Sequence, residues 1–273
     1  MNRMDGKVCV ITGATQGLGA AIARRLAAAG AAAIVVTGRN EPRGSAVAAE
    51  IAAASGAPAL FVRADLASVA DCRRVLAEAD KRFGRVHVLV NAGASTERGT
   101  ILDTSPELFD RLFATNVRGP FFLMQEAIRL MIRDRVEGAI CNIGSISALA
   151  GQPFISPYCA SKGALTTLTA NTAFSVMRNR IRVNQLNVGW MASDNEKELQ
   201  ANQSGDPDWL KKAASRLPFG RLVDPEEAAR AVNFLVSDDA GLMTGAIVNF
   251  DQSVWGAVAA AMPVPDAPMS LSP

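Results

Sequence analysis

The chain predicts an α/β protein built on a doubly wound parallel sheet of about seven strands, with helices on both faces. Short runs rich in Val, Ile and Leu alternate with longer amphipathic segments along most of the 273 residues. The runs are apolar throughout, as strands covered on both faces must be. A glycine-rich turn, Thr12-Gly13-Ala14-Thr15-Gln16-Gly17-Leu18-Gly19, joins the first run to the first amphipathic segment.

The first strand is expected at 8–12, where Val8-Cys9-Val10-Ile11 leads into the glycines, and the first helix at 17–29. Strands at 33–37 and 59–63 and helices at 43–54 and 69–82 continue the alternation. A fourth strand at 86–91 ends on Asn91-Ala92-Gly93, and a long helix follows at 106–133. Strands at 138–144, 181–186 and 246–251 alternate with helices at 157–178 and 225–237. Pro106, Pro157 and Pro225 stand where three of these helices begin, a position that tolerates a missing N–H. Residues 1–256 read as one domain without linker or repeat. The polar stretch 192–217, with Trp209 as an isolated large apolar residue, reads as a substrate lid. The Pro-rich tail 257–273 is expected to be extended or flexible.

The net charge of +2 is spread along the chain. No basic stripe, zinc-finger spacing or aromatic ladder points to nucleic acid. Cys9, Cys72, Cys141 and Cys159 form no Cys-x-x-Cys pair, so free thiols in a reducing cytoplasm are expected. No secretory leader is evident, and Arg24, Arg25 and Gly30 interrupt the apolar stretch 20–36, which is too short to span a bilayer. Neither membrane nor metal is expected, since no His, Cys, Asp or Glu cluster has metal-ligand spacing. His87, the sole histidine, lies in a strand and reads as structural.

The glycine turn between strand and helix suits a phosphate, because backbone N–H groups can approach it and the helix N-terminus favours its charge. After the second strand the chain reads Gly38-Arg39-Asn40. An NAD site places a carboxylate here for the ribose 2′-hydroxyl. None is present, and Arg39 offers a planar cation to a 2′-phosphate. NADP is therefore expected, with NAD as the alternative.

Tyr158 and Lys162 are four residues apart, about one helical turn, so both project from one face. A lysine charge beside a tyrosine favours the phenolate and pulls a group that titrates near pH ~10 towards neutrality. Such a tyrosine can exchange a proton with an alcohol or carbonyl. Ser145 lies thirteen residues before it, and Tyr158 is the only tyrosine.

With these residues in order, the chain resembles the compact single-domain branch of the short-chain dehydrogenase/reductase family over about residues 5–255. The matching motifs are Thr12–Gly19, Asp65-Leu66, Asn91-Ala92-Gly93, Asn116, Ser145, and Tyr158 with Lys162. The resemblance implies a Rossmann-type fold and hydride transfer between nicotinamide C4 and the carbon of a secondary alcohol or ketone. It implies Tyr158 as catalytic acid or base, Lys162 lowering its pKa and holding the nicotinamide ribose, and Ser145 on the substrate oxygen. Asn116 would help hold a water linking Lys162 to solvent. Gly13, Thr15, Gln16, Gly17, Leu18 and Gly19 would hold the phosphates. Gly38, Arg39, Asn40, Asp65, Leu66, Asn91, Ala92 and Gly93 would surround the adenosine half, and Val188, Gly189 and Ser193 would face the nicotinamide.

The chain departs from the family pattern at three places. The usual Asn-Asn-Ala-Gly reads Asn91-Ala92-Gly93-Ala94, the usual Pro-Gly reads Val188-Gly189, and the glycine-rich ending after the last strand is replaced by Asn249-Phe250-Asp251-Gln252-Ser253-Val254-Trp255. Ser147, Gln152, Trp190, Met191 and Trp209 are expected to line the substrate pocket, with Ile146, Ile155, Asn195 and Trp255 nearby. Aromatic faces with amide and hydroxyl partners suit a sugar, polyol or cyclic alcohol. Two other activities share the fold: a non-catalytic NADP-binding sensor or scaffold, and a cofactor-retaining isomerase or dehydratase. The apolar content of the two long helices, including Phe109, Phe113, Phe121, Phe122 and Leu123, predicts a homotetramer or homodimer.

Overall fold

The computed structural model describes residues 3–149, 151–193, 196, 200, 206 and 208–254. In it the apolar runs become β1 Val8–Thr12, β2 Ala33–Gly38, β3 Ala59–Arg63, β4 Val88–Asn91, β5 Ala139–Ser145, β6 Arg182–Val188 and β7 Ile247–Phe250. They form one parallel sheet in the order β3-β2-β1-β4-β5-β6-β7. The winding reverses between β1 and β4, so the loops leaving their carboxyl ends part and open a crevice there.

The helices are α1 Gly17–Ala28, α2 Glu41–Ser55, α3 Val69–Phe83, α4 Pro106–Phe113, α5 Gly119–Arg133, α6 Ser156–Val176, α7 Trp209–Ser215 and α8 Pro225–Val236. Alternate side chains of each strand serve opposite layers. Cys9, Ile11, Ile34, Val36, Val90 and Cys141 pack with Ile22, Leu26, Val47, Ile51 and Val232 of α1, α2 and α8. Val10, Val35, Leu89, Ile140 and Val183 pack with Val75, Leu76, Leu123, Met131 and Val176 of α3, α5 and α6. Burying each Val or Leu side chain contributes about 1.5–3 kcal/mol, which is why continuous apolar runs specify this two-sided sheet.

Helix starts follow local chemistry. Asn40, Ser68, Ser105 and Asp224 accept from the N–H groups of Arg43, Asp71, Leu108 and Glu226, supplying first-turn donors with an acceptor. Gln16, at the start of α1, provides no such cap.

Two elements differ from the sequence expectation. The helix expected at 106–133 is α4 and α5 separated by a π-turn, Ala114–Arg118, closed by Gly119 N–H on the Ala114 carbonyl. The cause is Pro120, whose missing N–H would have bonded the carbonyl of Asn116 in an α-helix. The stretch 192–217 contains α7 where no regular element was expected. Most of residues 194–207 and the whole tail 257–273 lie outside the described residues.

His87 sits at the amino end of β4, opposite the crevice. Its Nδ1 accepts from Val8 N–H at 3.0 Å, and its backbone continues the pairing of β1 and β5. Cys9, Cys72 and Cys141 are buried free thiols, and Cys159 is partly exposed. Among the described residues no helix is long and apolar enough to cross a membrane, and no three His, Cys, Asp or Glu side chains gather as a metal site.

Candidate active site

The crevice begins with Thr12, whose buried hydroxyl accepts from the N–H groups of Ala92 and Gly93 at 3.1 and 3.2 Å. This ties the loop after β1 to the loop after β4. Gly13, at φ +63°, touches the backbone of Gly93 so closely that any Cβ would collide, and a Cβ on Gly19 would strike the Gly13 carbonyl. Only glycine permits both approaches. Thr15 underlies Gly38, where a Cβ would come within 2.6 Å of Thr15 Cγ2. Leu18 packs onto the core. The uncapped first turn of α1 therefore opens into a backbone cradle that fits a pyrophosphate.

Beyond Gly38, Arg39 is exposed on the rim of a groove of about 510 Å3, also lined by Arg63, Asp65, Asp71 and Arg74. The Asp65 backbone and Arg74 hold the Asp71 carboxyl below the usual range, with Asp71 accepting from Asp65 N–H at 2.8 Å. Sequence reasoning missed Arg43, one turn beyond Arg39, whose guanidinium donates to Gln16 Oε1. Two expected adenosine contacts are engaged elsewhere. The Asn40 carboxamide caps α2. Asn91 is buried on the α5 and α6 side of the sheet and donates to Asn142 Oδ1 at 2.8 Å. Leu66 is also buried and would lie 2.5 Å from a Cβ on Gly93.

Ser145 ends β5, and Tyr158 and Lys162 stand one turn apart on α6. The Ser145 hydroxyl faces the Tyr158 phenol and acts to lower its pKa, and it accepts from Ser147 N–H at 3.1 Å. Lys162 is buried, its Nζ 2.8 Å from the Ile143 carbonyl and 5.7 Å from the Tyr158 ring centroid. The expected lowering of the Tyr158 pKa does not prevail. Burial pushes the phenol up to about 12, with the Ser145 hydroxyl opposing, and pushes Lys162 down to about 8. The reason is that the Lys162 ammonium is buried and aimed at a backbone carbonyl, while the phenol is half-buried, so desolvation outweighs their mutual attraction.

The π-turn delivers Asn116 to this cluster. Its Oδ1 accepts from Ser95 N–H at 2.8 Å, and its Nδ2 donates to the Ser95 carbonyl at 2.9 Å and to Ser161 Oγ at 3.0 Å. Ser161 in turn donates to the Tyr158 carbonyl at 2.7 Å. Asn116 thus binds the loop after β4 to the first turns of α6.

On the substrate side, Trp190 and Trp209 contact each other with ring centroids 6.2 Å apart. Trp190 Nε1 donates to Glu196 Oε1 at 2.8 Å, and the residue is 40% exposed. Ser147 Oγ is 3.5 Å from Gln152 Oε1. Ser193 accepts from Glu196 N–H at 3.2 Å and lies beside Gly17. Met191, expected in the pocket, pairs with Val223 in a bridge, and Met191 and Val188, both half-buried, pack against the core. Gly189 leaves room for the Asp251 carboxylate, and Gln252 holds both Phe219 N–H and the Arg221 carbonyl. The segment replacing the family's glycine-rich ending therefore braces the loop before α8. Asn195 and Trp255 lie outside the described residues.

A parallel sheet reversing at β1 and β4, with a glycine cradle at the reversal, defines a nucleotide-binding α/β protein. The family model described as enoyl-(acyl carrier protein) reductase matches residues 13–253. An uncharacterized oxidoreductase of Thermotoga maritima is 36% identical over 90% of this chain and 96% of its own. L-Rhamnose 1-dehydrogenase (NAD(P)(+)) of Azotobacter vinelandii is 35% identical over 91% of this chain and 96% of its own. Among solved structures, L-sorbose reductase from Gluconobacter frateurii, complexed with NADPH and L-sorbose, superposes with a TM-score of 0.88 at 28% identity. The match covers 94% of this chain and 100% of the other. The chain belongs to the short-chain dehydrogenase/reductase family of oxidoreductases.

Proposed function

We propose that the protein is an NADP-preferring oxidoreductase interconverting a secondary alcohol and a ketone, with a sugar, polyol or cyclic alcohol as substrate. The observation that carries this reading is the convergence of Ser145, Tyr158 and Lys162 beside the glycine cradle. A nicotinamide bound there supplies or accepts the hydride. Gly13 to Gly19 would hold the pyrophosphate, Gly38 and Arg39 the adenosine ribose, and Gly189 and Ser193 the nicotinamide end.

The Tyr158 phenol, its pKa pushed up to about 12, is protonated at neutral pH. It therefore gives its proton to the substrate oxygen in reduction and takes it back in oxidation. Ser145 holds that oxygen and stabilises charge developing on it. Lys162 places a cation beside the phenol when the proton has left, which favours the phenolate. Asn116 keeps Tyr158 and the loop after β4 in register.

NADP preference rests on the exposed Arg39 at the end of β2 and on the absence of a carboxylate there. The sugar or polyol class rests on the Trp190–Trp209 pair, with Gln152 and Ser147 as polar partners. L-Rhamnose and L-sorbose, the substrates named for two similar proteins, are consistent with it. The free cysteines suit a cytoplasmic location. The stacked Phe109 and Phe113, 4.4 Å apart, and the exposed Phe121 on α5 suit a homo-oligomer formed through the long helices.

The test is a panel of sugars, polyols and cyclic alcohols, followed by NADPH absorbance. On any substrate turned over, Tyr158→Phe should lower kcat by about 10²–10⁴-fold while cofactor still binds. Activity confined to steroids or acyl thioesters would remove the substrate class, and unaltered turnover in Tyr158→Phe would remove the mechanism.

A further inference from the structure

Below the carboxyl edge of the sheet, the register-aligned residues Thr37, Thr12, Asn91, Asn142 and Gln185 form a polar row crossing β2, β1, β4, β5 and β6. All five are buried. Gln185 is its most connected member. Its Nε2 donates to Thr166 Oγ1 and to Asn187 Oδ1, each at 2.7 Å, and its Oε1 lies 3.0 Å from Thr169 Oγ1. The single Thr169 proton is shared between that oxygen and the Leu165 carbonyl at 2.8 Å. Asn187 continues the chain to Asn249 of β7 at 3.0 Å.

We propose that Gln185, acting with Asn187, is a positioning residue that sets Ser145 on β5 against Tyr158 and Lys162 on α6. This rests on the roles given to those three residues above. On the helix side, Thr166 receives Gln185 and donates to the Lys162 carbonyl at 3.0 Å, so the amide grips α6 one turn beyond Lys162. On the strand side, Gly144 pairs with Asn187 in the sheet, and a Cβ on Gly144 would collide with both Asn187 Oδ1 and Gln185 Nε2. The two carboxamides therefore lie directly over the residue that precedes Ser145. A second bridge, Asn142 Nδ2 to Thr169 Oγ1 at 2.9 Å, joins β5 to the same helix. The brace is saturated: both Nε2 protons and the Oε1 acceptor of Gln185 have protein partners. An unpaired carboxamide here would be costly, so the arrangement fixes one spacing between strand and helix.

Because Tyr158 is the chain's only tyrosine, its environment can be read without any substrate. In full-length protein labelled at the tyrosine ζ-carbon with 13C, a single resonance reports the phenol's contact with Ser145, and Ser145→Ala sets the position of its loss. Gln185→Leu should move the resonance towards that position. On a substrate found by the panel it should lower kcat at least about tenfold with NADPH affinity kept within about twofold, since small misplacements of reacting groups cost on the order of a hundredfold. Thr166→Val, isosteric and half-buried, keeps a foldable chain and should act in the same direction more weakly. An unmoved resonance and unchanged kcat in a folded Gln185→Leu or Thr166→Val protein would overturn the proposal. If Ser145→Ala itself leaves the resonance in place, the Ser145–Tyr158 contact is absent. The reading of the site then fails, and the brace, with nothing to hold, fails with it.

Discussion

Lys162 Nζ lies 2.8 Å from the carbonyl oxygen of Ile143, two residues before Ser145. The lysine thus joins α6 to the strand that carries the serine, besides placing charge near the phenol. Burial lowers its pKa from 10.5 to about 8. Between those values the unfolded chain holds a proton that the folded chain has released, so stability rises with pH across that window. Lys162→Met should flatten this rise. Urea midpoints at several pH values between about 8 and 10.5 check it, and an unchanged slope in the variant counts against the assignment.

His87 gives the opposite end of the sheet its own pH dependence. Burial, then Lys7 and Arg85, hold its pKa below the ordinary 6.5, and its Nδ1 must be unprotonated to accept from Val8. Stability is full above 6.5 and falls as pH drops below it, because the unfolded imidazole takes up a proton first. His87→Asn should remove that loss while leaving kcat at neutral pH unchanged. Denaturant midpoints at about pH 7.5 and 5.5 measure the effect.

Arg39→Ala tests cofactor choice. A charge-assisted hydrogen bond of about 1.5–3 kcal/mol corresponds to a rise in NADPH Kd of roughly 10- to 150-fold. NADH, without the 2′-phosphate, should change little. Equal weakening of both would assign Arg39 to general electrostatics.

Two glycines with similar backbone angles should respond differently to alanine. Gly56, at φ +73°, ends α2 with nothing within 4 Å of an added Cβ, so its cost is the left-handed penalty of about 1–2 kcal/mol. Gly13 adds a collision with the Gly93 backbone. Gly13→Ala should be the more destabilising and should also abolish nucleotide binding. Thermal denaturation and cofactor titration of the pair separate strain from site damage.

The sheet was legible because its strands are apolar on both sides, a pattern with no competing reading at 8–12 or 59–63. The cradle was legible because glycine at 13 and 19 marks where backbones must touch. Asn91 was placed by its position in the chain, yet side-chain direction decided its contacts, and it turns under the sheet to Asn142. The Tyr158–Lys162 spacing established a shared helix face. It carried no information about burial, which governs both groups. Arg43 had a signal, its four-residue offset from Arg39, and Pro120 had one for the π-turn. Gln185 and Asn187 gave none, since two amides in a strand do not show which helix hydroxyls will meet them.

The π-turn at Ala114–Arg118 also separates two rotational phases. One residue more or less turns an α-helix by about 100°, and the wide turn absorbs one such step between α4 and α5. Deleting a single residue there would remove this step while leaving Pro120 in the helix, and the protein would be worse for it. Leu123, Met124, Ala127 and Met131 would swing off the sheet, and Asn116 would leave Ser95 and Ser161. A chain-length change of one is therefore more damaging at this point than most substitutions in either helix. Natural variants of the protein should keep the spacing from Pro106 to Pro120 fixed even where the residues between them drift.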